Sequence, residues 1–421
     1  MKRVLQRYLA ISLILRILVC FLAGSAIGGA LWAASSAMGH PWAEQLMPYV
    51  APFGTVFVHM LKMIVVPVIF FSLVVGAASL PVGKFGRVGL KTLGWYLSCS
   101  VLAAILGVAL ALAFRPGGGA DLGAWEHMAG TLEGQAGALA DKAEDEGGIL
   151  ANILFNLFKN PFQALANGNF LPIIVFAILF GLAIRVSIEA GGDPAKVARL
   201  EMLEGVMSAG RDAMFRLVDW ILEYSPVGVL ALSIMNFGLY GPSIVGPYVR
   251  VTLGVVLGIL GMITVVYPIL LRLLTGRGPL HVFGHIKEAM IMAFITRSSA
   301  ATLPVSLKVA TEDLKIRDEL ASFSLPLGAT INMDGVCVHL PMFAVLAASM
   351  FGIPITAGGL MVLVITTVLA SIGAGGVPGG SLMLLFIILG SMGLADDQVS
   401  VVVALALGIN PILDMFETMN N

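Results

Sequence analysis

Charge is scarce in this chain of 421 residues: 12% are Asp, Glu, Lys or Arg, while 58% are hydrophobic. A soluble domain needs a charged shell, and this composition cannot supply one. Cysteine is nearly absent. Cys20, Cys99 and Cys337 sit in apolar segments, which excludes a disulfide framework and a paired-cysteine metal motif. There is no GxxxxGK, so the chain carries no nucleotide-hydrolysing P-loop, and any uphill transport must draw on an ion gradient. Period-2 alternation is missing as well, which argues against a β-barrel. The net charge of −1 says nothing about partners, and nothing in the sequence suggests nucleic acid.

What is present is a succession of apolar runs of about 20 residues, each long enough to cross ~30 Å of hydrocarbon. The pattern predicts an all-α polytopic membrane protein, with spans near 11–37, 48–75, 87–114, 150–185, 200–236 and 243–274. The first run follows Lys2, Arg3 and Arg7, exceeds signal-peptide length and reads as an uncleaved span. Lys84, Arg87 and Lys91 form a basic loop. Lys196, Arg199, Arg211 and Arg216 form a second, and Arg272, Arg277 and Lys287 a third. By the positive-inside bias, these loops and the N-terminus are cytoplasmic. The Gly-, Ala- and acid-rich segment 115–148 is then an external loop. The cell's inner (plasma) membrane is the expected location.

The last third differs. Two hydrophobic segments, 293–307 and 369–385, are interrupted by small residues and by Pro304 and Pro378. Proline removes a backbone donor and glycine favours turns, so each segment reads as a re-entrant helix–turn–helix hairpin. Each hairpin precedes an apolar helix carrying polar residues: Asn332, Met333, Asp334 and Gly335 after the first, Asn410, Pro411 and Asp414 after the second. A hairpin and a polar helix, repeated from opposite sides, make an inverted repeat. Such paired interruptions mark a transporter's binding site. The expected layout is hairpin 1 at about 281–308, helix 7 at 315–347, hairpin 2 at 355–392 and helix 8 at 395–421, a core region 281–421 following 1–280.

Asn410, Asp414, Glu417 and Asn421 share one helix face at spacings of 4, 3 and 4. A carboxylate at mid-membrane costs ~2.5–3.5 kcal/mol, so this stripe lines a site or wet cavity unless it lies at the headgroups. Oxygen side chains of Asn332 and Asp334 beside Gly335 suggest unwound backbone suited to a hard cation such as Na⁺, with H⁺ as the alternative. At the first hairpin tip, Arg297, Ser298 and Ser299 offer hydroxyls and free N–H groups for a carboxylate, and Arg297 could neutralise Asp414. A solvated turn would explain the same three residues. His281 and His285 lie at i, i+4 without a third ligand, and His339 reads as a core histidine rather than a proton carrier.

These residues resemble the dicarboxylate/amino-acid:cation symporters, the glutamate-transporter family. The resemblance begins with Phe57-Val58-His59-Met60, Leu61-Lys62-Met63-Ile64 and Val74-Val75-Gly76-Ala77-Ala78-Ser79. It continues with Thr296-Arg297-Ser298-Ser299-Ala300-Ala301-Thr302-Leu303-Pro304 at the first hairpin, Asn332-Met333-Asp334-Gly335 in the seventh helix and Ser371-Ile372-Gly373-Ala374-Gly375-Gly376-Val377-Pro378-Gly379 at the second hairpin. It runs in order from about residue 10 to the end. It implies eight transmembrane helices plus two re-entrant hairpins in a homotrimer. Spans 1, 2, 4 and 5 would be scaffold; spans 3 and 6 would join the transport domain. It implies that Asp414 meets a substrate amino group, while Asn421, Ser299 and backbone near Val377 and Gly379 meet its α-carboxylate, with Thr418 beside them. Tyr96, Cys99, Ser100, Asn332 and Asp334 match one sodium site. Thr330, Met333, Ser371, Ile372 and Ala374 match another.

Two departures bear on substrate. Where relatives taking acidic substrates carry an Arg on the last helix, this chain has Glu417, and where a Thr assists on the seventh helix it has Val336. Like charges about 4 Å apart repel by several kcal/mol even at an effective dielectric near 20. A neutral or cationic amino acid is therefore expected over an acidic one, unless Glu417 is protonated or Arg297 reaches across. Members of the family extend beyond the position of Asn421 to an Asp at a further sodium site, which leaves stoichiometry open. A channel would need polar residues spread along the whole chain, and a membrane hydrolase would need a base near Ser298 or Ser299. The sequence offers neither.

Overall fold

The computed structural model describes residues 11–79, 86–117, 158–167, 170–374, 376 and 378–421. Among them the regular structure is helical throughout, as backbone in hydrocarbon must be to satisfy its own hydrogen bonds. Among the described residues seven helical segments are long and apolar enough to cross a membrane, and the longest, 194–275, contains a break at Gly241–Ile244.

The N-terminal part comprises α1 (Leu13–Met38), α2 (Trp42–Ala78), α3 (Gly86–Phe114), the short α4 (Pro161–Asn167), α5 (Phe170–Glu189) and α6 (Pro194–Tyr240). A turn at Gly241–Ile244 leads to α7 (Val245–Gly261), which continues through a π-helical turn at Met262–Val266 into α8 (Tyr267–Thr275). α6 has 47 residues, about 70 Å at 1.5 Å per residue. That is about twice the thickness of the hydrocarbon; the helix begins at Pro194, before the apolar run expected at 200–236, and its N-terminal part carries the charges from Lys196 to Arg216. Most of the expected external loop 115–148, the residues Lys2 to Arg7 and Lys84 lie outside the described residues.

α1, α2 and α6 pack chiefly on one another, and α5 packs on α2. α3 and α7 instead embrace the second half of the seventh span. Close helix approach is bought by small residues, the usual device where lipid supplies no hydrophobic drive between helices. A Cβ on Gly28 of α1 would meet Ile234 O of α6 at 2.6 Å, and one on Gly107 of α3 would meet Val338 O at 2.8 Å.

Among the described residues the last third is built from seven further α-helices. α9 (Pro279–Thr296) and α10 (Ser299–Lys308) form the first hairpin, and α11 (Asp318–Ile331) and α12 (Asp334–Met350) form one broken span. α13 (Ala357–Ser371) and α14 (Gly380–Ser391) form the second hairpin, and α15 (Asp396–Asn420) closes the chain. One expectation needs correcting. Pro304 does not break the first hairpin; it lies inside α10. The turn falls at Arg297, which takes a left-handed φ of 54°, and Ser298, whose hydroxyl caps α10 by accepting from Ala301 N at 3.2 Å. A cap and a left-handed residue end one helix and begin the next more decisively than one missing N–H.

Candidate functional site

Helix ends converge at the site, and each is an interruption the sequence carries. The gap between α11 and α12 falls at Asn332 and Met333, with Asp334 the first residue of α12. Gly335, next along, has no Cβ because there is no room for one: it would lie 2.5 Å from Glu417 Cα. The broken span is thereby pressed against α15. Asn421 Oδ1 accepts from Gly335 N at 2.7 Å, and its Nδ2 lies 3.4 Å from Met333 Sδ.

Asp334 is fully buried and both of its oxygens are engaged: Ser100 Oγ donates to Oδ1 and Tyr267 Oη donates to Oδ2, each at 2.7 Å. Asn420 Nδ2 reaches Tyr267 Oη at 3.3 Å. Cys99 is buried beside Ser100, and Tyr96 Oη donates to Ser324 O at 2.8 Å. Asn332 Oδ1 is buried with no hydrogen-bond partner. A buried, unsatisfied amide oxygen next to a carboxylate is the donor chemistry a hard cation takes up. The structure thus brings Ser100, Asn332 and Asp334 together, with Tyr96 bound one turn away to the backbone of α11.

For the second proposed sodium set, Met333 is buried, Thr330 Oγ1 donates to Leu327 O at 2.9 Å and Ser371 Oγ donates to Val368 O at 2.8 Å. Their hydroxyls are thus spent within their own helices. Beyond Ser371 the chain turns through Ile372 to Ala374, whose N–H donates to Ser371 O at 3.1 Å. Among the described residues no cluster of three His, Cys, Asp or Glu is placed to hold a metal, and His281 and His285 simply meet edge to face with ring centres 4.7 Å apart.

The two hairpin tips touch. Ser298 Oγ donates to Gly376 O at 3.1 Å, and Ala300 N to the same oxygen at 3.4 Å. Gly376 has a φ of 65°, a conformation that glycine adopts without strain. Ser299 Oγ is buried without a partner. Asp414 sits between the tips: Gly379 N donates to its Oδ2 at 3.1 Å and Arg297 Nη1 lies 3.7 Å from the same oxygen. Both side chains are largely buried, 12% and 6% exposed, and Arg297 stands within ion-pair distance of Asp414, one of the two roles the sequence left open for it, the other being to meet the substrate. Behind Asp414, Ser381 Oγ donates to Asn410 Oδ1 at 3.3 Å. Thr418 is buried on the same helix, and Val377 lies outside the described residues. A small cavity opens between Arg297, Gly379 and Asn410 on one side and Ile17, Leu222 and Ser225 of α1 and α6 on the other.

Two participants escaped the sequence reading. Tyr267 lies in an apolar run and nothing in its spacing ties it to Asp334, 67 residues on. His339 is buried as expected of a core histidine, but it is not apolar filling: its Nδ1 is hydrogen-bonded to Glu417 Oε1. The clue was available, since an α-helix places His339 one turn after Gly335, the residue in contact with Glu417. Val336 is buried near that pair's level.

A sequence profile described as the sodium:dicarboxylate symporter family matches residues 13–421. The chain is 31% identical over 373 residues to a proton/glutamate-aspartate symporter of Escherichia coli K12, covering 88% of this chain and 82% of the relative. It is 30% identical over 416 residues to a serine/threonine transporter of Bifidobacterium adolescentis, covering 98% and 87%. It is 31% identical over 425 residues to the human neutral amino acid transporter B(0), covering 93% and 75%. Relatives named for acidic, hydroxylated and neutral substrates are thus about equally similar. With a match over nearly its whole length and the two hairpins and broken helix in place, the chain belongs to the sodium:dicarboxylate symporter family, a family of multi-pass membrane transporters and not of enzymes.

Proposed function

We propose that this protein is a secondary active symporter that couples entry of Na⁺, or H⁺, to uptake of a neutral or cationic amino acid by alternating access. The observation that carries the reading is the pairing of Asp414 with both hairpin tips, through Gly379 N and Arg297, one helical turn from Glu417. Asp414 supplies a carboxylate for an α-ammonium. Ser299 Oγ and the tip N–H groups supply donors for an α-carboxylate. The side chain of such a substrate then points toward Glu417 and Val336, where an acidic group would meet a carboxylate rather than a cation. Cations enter with the solute at the oxygens of Ser100, Asn332 and Asp334 and at the carbonyls around Ser371, Ile372 and Ala374.

In this reading each hairpin gates one side. Residues of α3, α7, α8 and the last third move together against a scaffold of α1, α2, α5 and α6, which supports a homotrimer in the inner (plasma) membrane with the N-terminus cytoplasmic. Purified protein in proteoliposomes, given imposed Na⁺ and H⁺ gradients separately, is tested for uptake of labelled serine, arginine, aspartate and succinate. Gradient-driven accumulation of serine or arginine with poor competition by aspartate is expected. Strong aspartate or succinate preference would overturn the substrate class, and downhill flux without accumulation would overturn symport.

A further inference from the structure

His339 and Glu417 face each other across the contact of α12 and α15, with side chains 0% and 1% exposed. Nδ1 of the imidazole meets Oε1 of the carboxylate, while His339 Nε2 and Glu417 Oε2 are both buried without a hydrogen-bond partner. The ring is held flat on Phe343, centre to centre 4.7 Å at 27°. Phe343 backs one face of the imidazole, and its free nitrogen and the free carboxylate oxygen are two of the unpartnered buried polar atoms where α12 meets α15.

The surroundings decide the charge of this pair. Asp414 lies one turn earlier on α15, but Arg297 is set against it. Asp334 at the start of α12 has Ser100 and Tyr267 on its oxygens. Cys337 of α12, Cys99 and Tyr96 of α3, and Tyr248 of α7, which shares a small cavity with Phe343, are the other titratable groups nearby, and all are neutral in their ordinary forms. α13 and α14 carry no titratable side chain. The remaining groups of α9, from His281 to Glu288, lie in its first half; on α2, His59 and Lys62 are exposed, and Arg16 of α1 is paired with Glu223 of α6. Among the described residues no cation other than His339 is paired with Glu417. A neutral imidazole beside a carboxylate would leave one uncompensated negative charge in a buried contact, whereas one added proton makes the pair neutral.

We propose that His339 and Glu417 together hold one exchangeable proton, as imidazolium and carboxylate, and that a cationic substrate side chain displaces it. This rests on Glu417 lining the side-chain pocket, as in the function proposed above. A guanidinium or ammonium that reaches Glu417 Oε2 shares the carboxylate with the imidazolium. Two cations on one buried carboxylate repel, so the Nε2–H bond breaks and the proton passes to the aqueous phase to which the site is open. His339 stays as the neutral tautomer, still donating from Nδ1. A neutral side chain leaves the proton in place. Binding of arginine and of serine would then add the same net charge to the site, and the transporter would move equal charge per cycle for both.

The test uses the purified full chain in detergent. Nitrogen-15 histidine NMR, with the His339 signal identified by its loss in H339Q, is expected to show an imidazolium near pH 7 without ligand and a neutral ring in E417Q. In weakly buffered solution with a pH dye, arginine is expected to release about one proton per molecule bound, serine none, and H339Q none per arginine bound. A neutral His339 in the wild type, arginine binding without release, or equal release from H339Q overturns the proposal. Failure of every amino acid to bind overturns the substrate reading instead, and the imidazolium signal then decides the proton site by itself. If H339Q does not fold, H339F, which can still stack on Phe343, takes its place.

Discussion

Gly335 lies so close to Glu417 that a β-carbon on it would stand 2.5 Å from Glu417 Cα and 2.6 Å from Glu417 O. Both are backbone atoms and cannot be moved aside like the end of a flexible side chain. The contact fixes how deeply the broken span α11–α12 sits against α15, and so where Asp334, His339 and Glu417 stand relative to one another. G335A is expected to lower stability by about 1–3 kcal/mol through overpacking and to abolish uptake. A thermal unfolding curve in detergent that matches wild type would count against this.

Asp334 relies on two hydroxyls. Tyr267→Phe and Ser100→Ala each leave one buried carboxylate oxygen without its donor, at a cost of about 1.5–3 kcal/mol. The loss should shrink when a saturating cation replaces the missing donor, because a ligand that binds only the folded state stabilises it. Unfolding temperatures with Na⁺ and with choline as the sole cation measure this. A deficit of the same size in both salts would argue that no cation reaches Asp334.

Arg297 holds a charge opposite Asp414 in a largely buried setting. Removing one member of such a pair costs about 3–5 kcal/mol, since the other is left uncompensated. R297A should therefore fall well below D414N/R297A in stability, the double variant having lost both charges. Equal stabilities of the single and the double variant would show that Asp414 is compensated by something else.

Glu417 stands where an acidic substrate would need a cation. E417R is expected to raise competition by aspartate at least tenfold, about 1.4 kcal/mol, and to weaken competition by arginine. Uptake of labelled serine against increasing aspartate reads this directly. Unchanged aspartate competition in a folded, serine-transporting E417R would place Glu417 outside the substrate pocket.

The fold class was legible from the chain alone because it depends on local composition. Scarce charge and apolar runs impose helices in lipid, and the interruptions around residues 297, 332 and 376 must fall where backbone can be satisfied by protein rather than hydrocarbon. The 4-3-4 spacing likewise put Asn410, Asp414, Glu417 and Asn421 on one face without any coordinates. Partners across helices were not legible, since a helix's period states which residues share a face and is silent on what that face meets. Tyr267 on Asp334, His339 on Glu417 and both hairpin tips on Asp414 are contacts between elements tens of residues apart. They were decided only when close approaches such as Gly335 on Glu417 set the depth and register of one helix against the next, because in a water-poor interior each buried carboxylate must find its donors within hydrogen-bond reach or not at all.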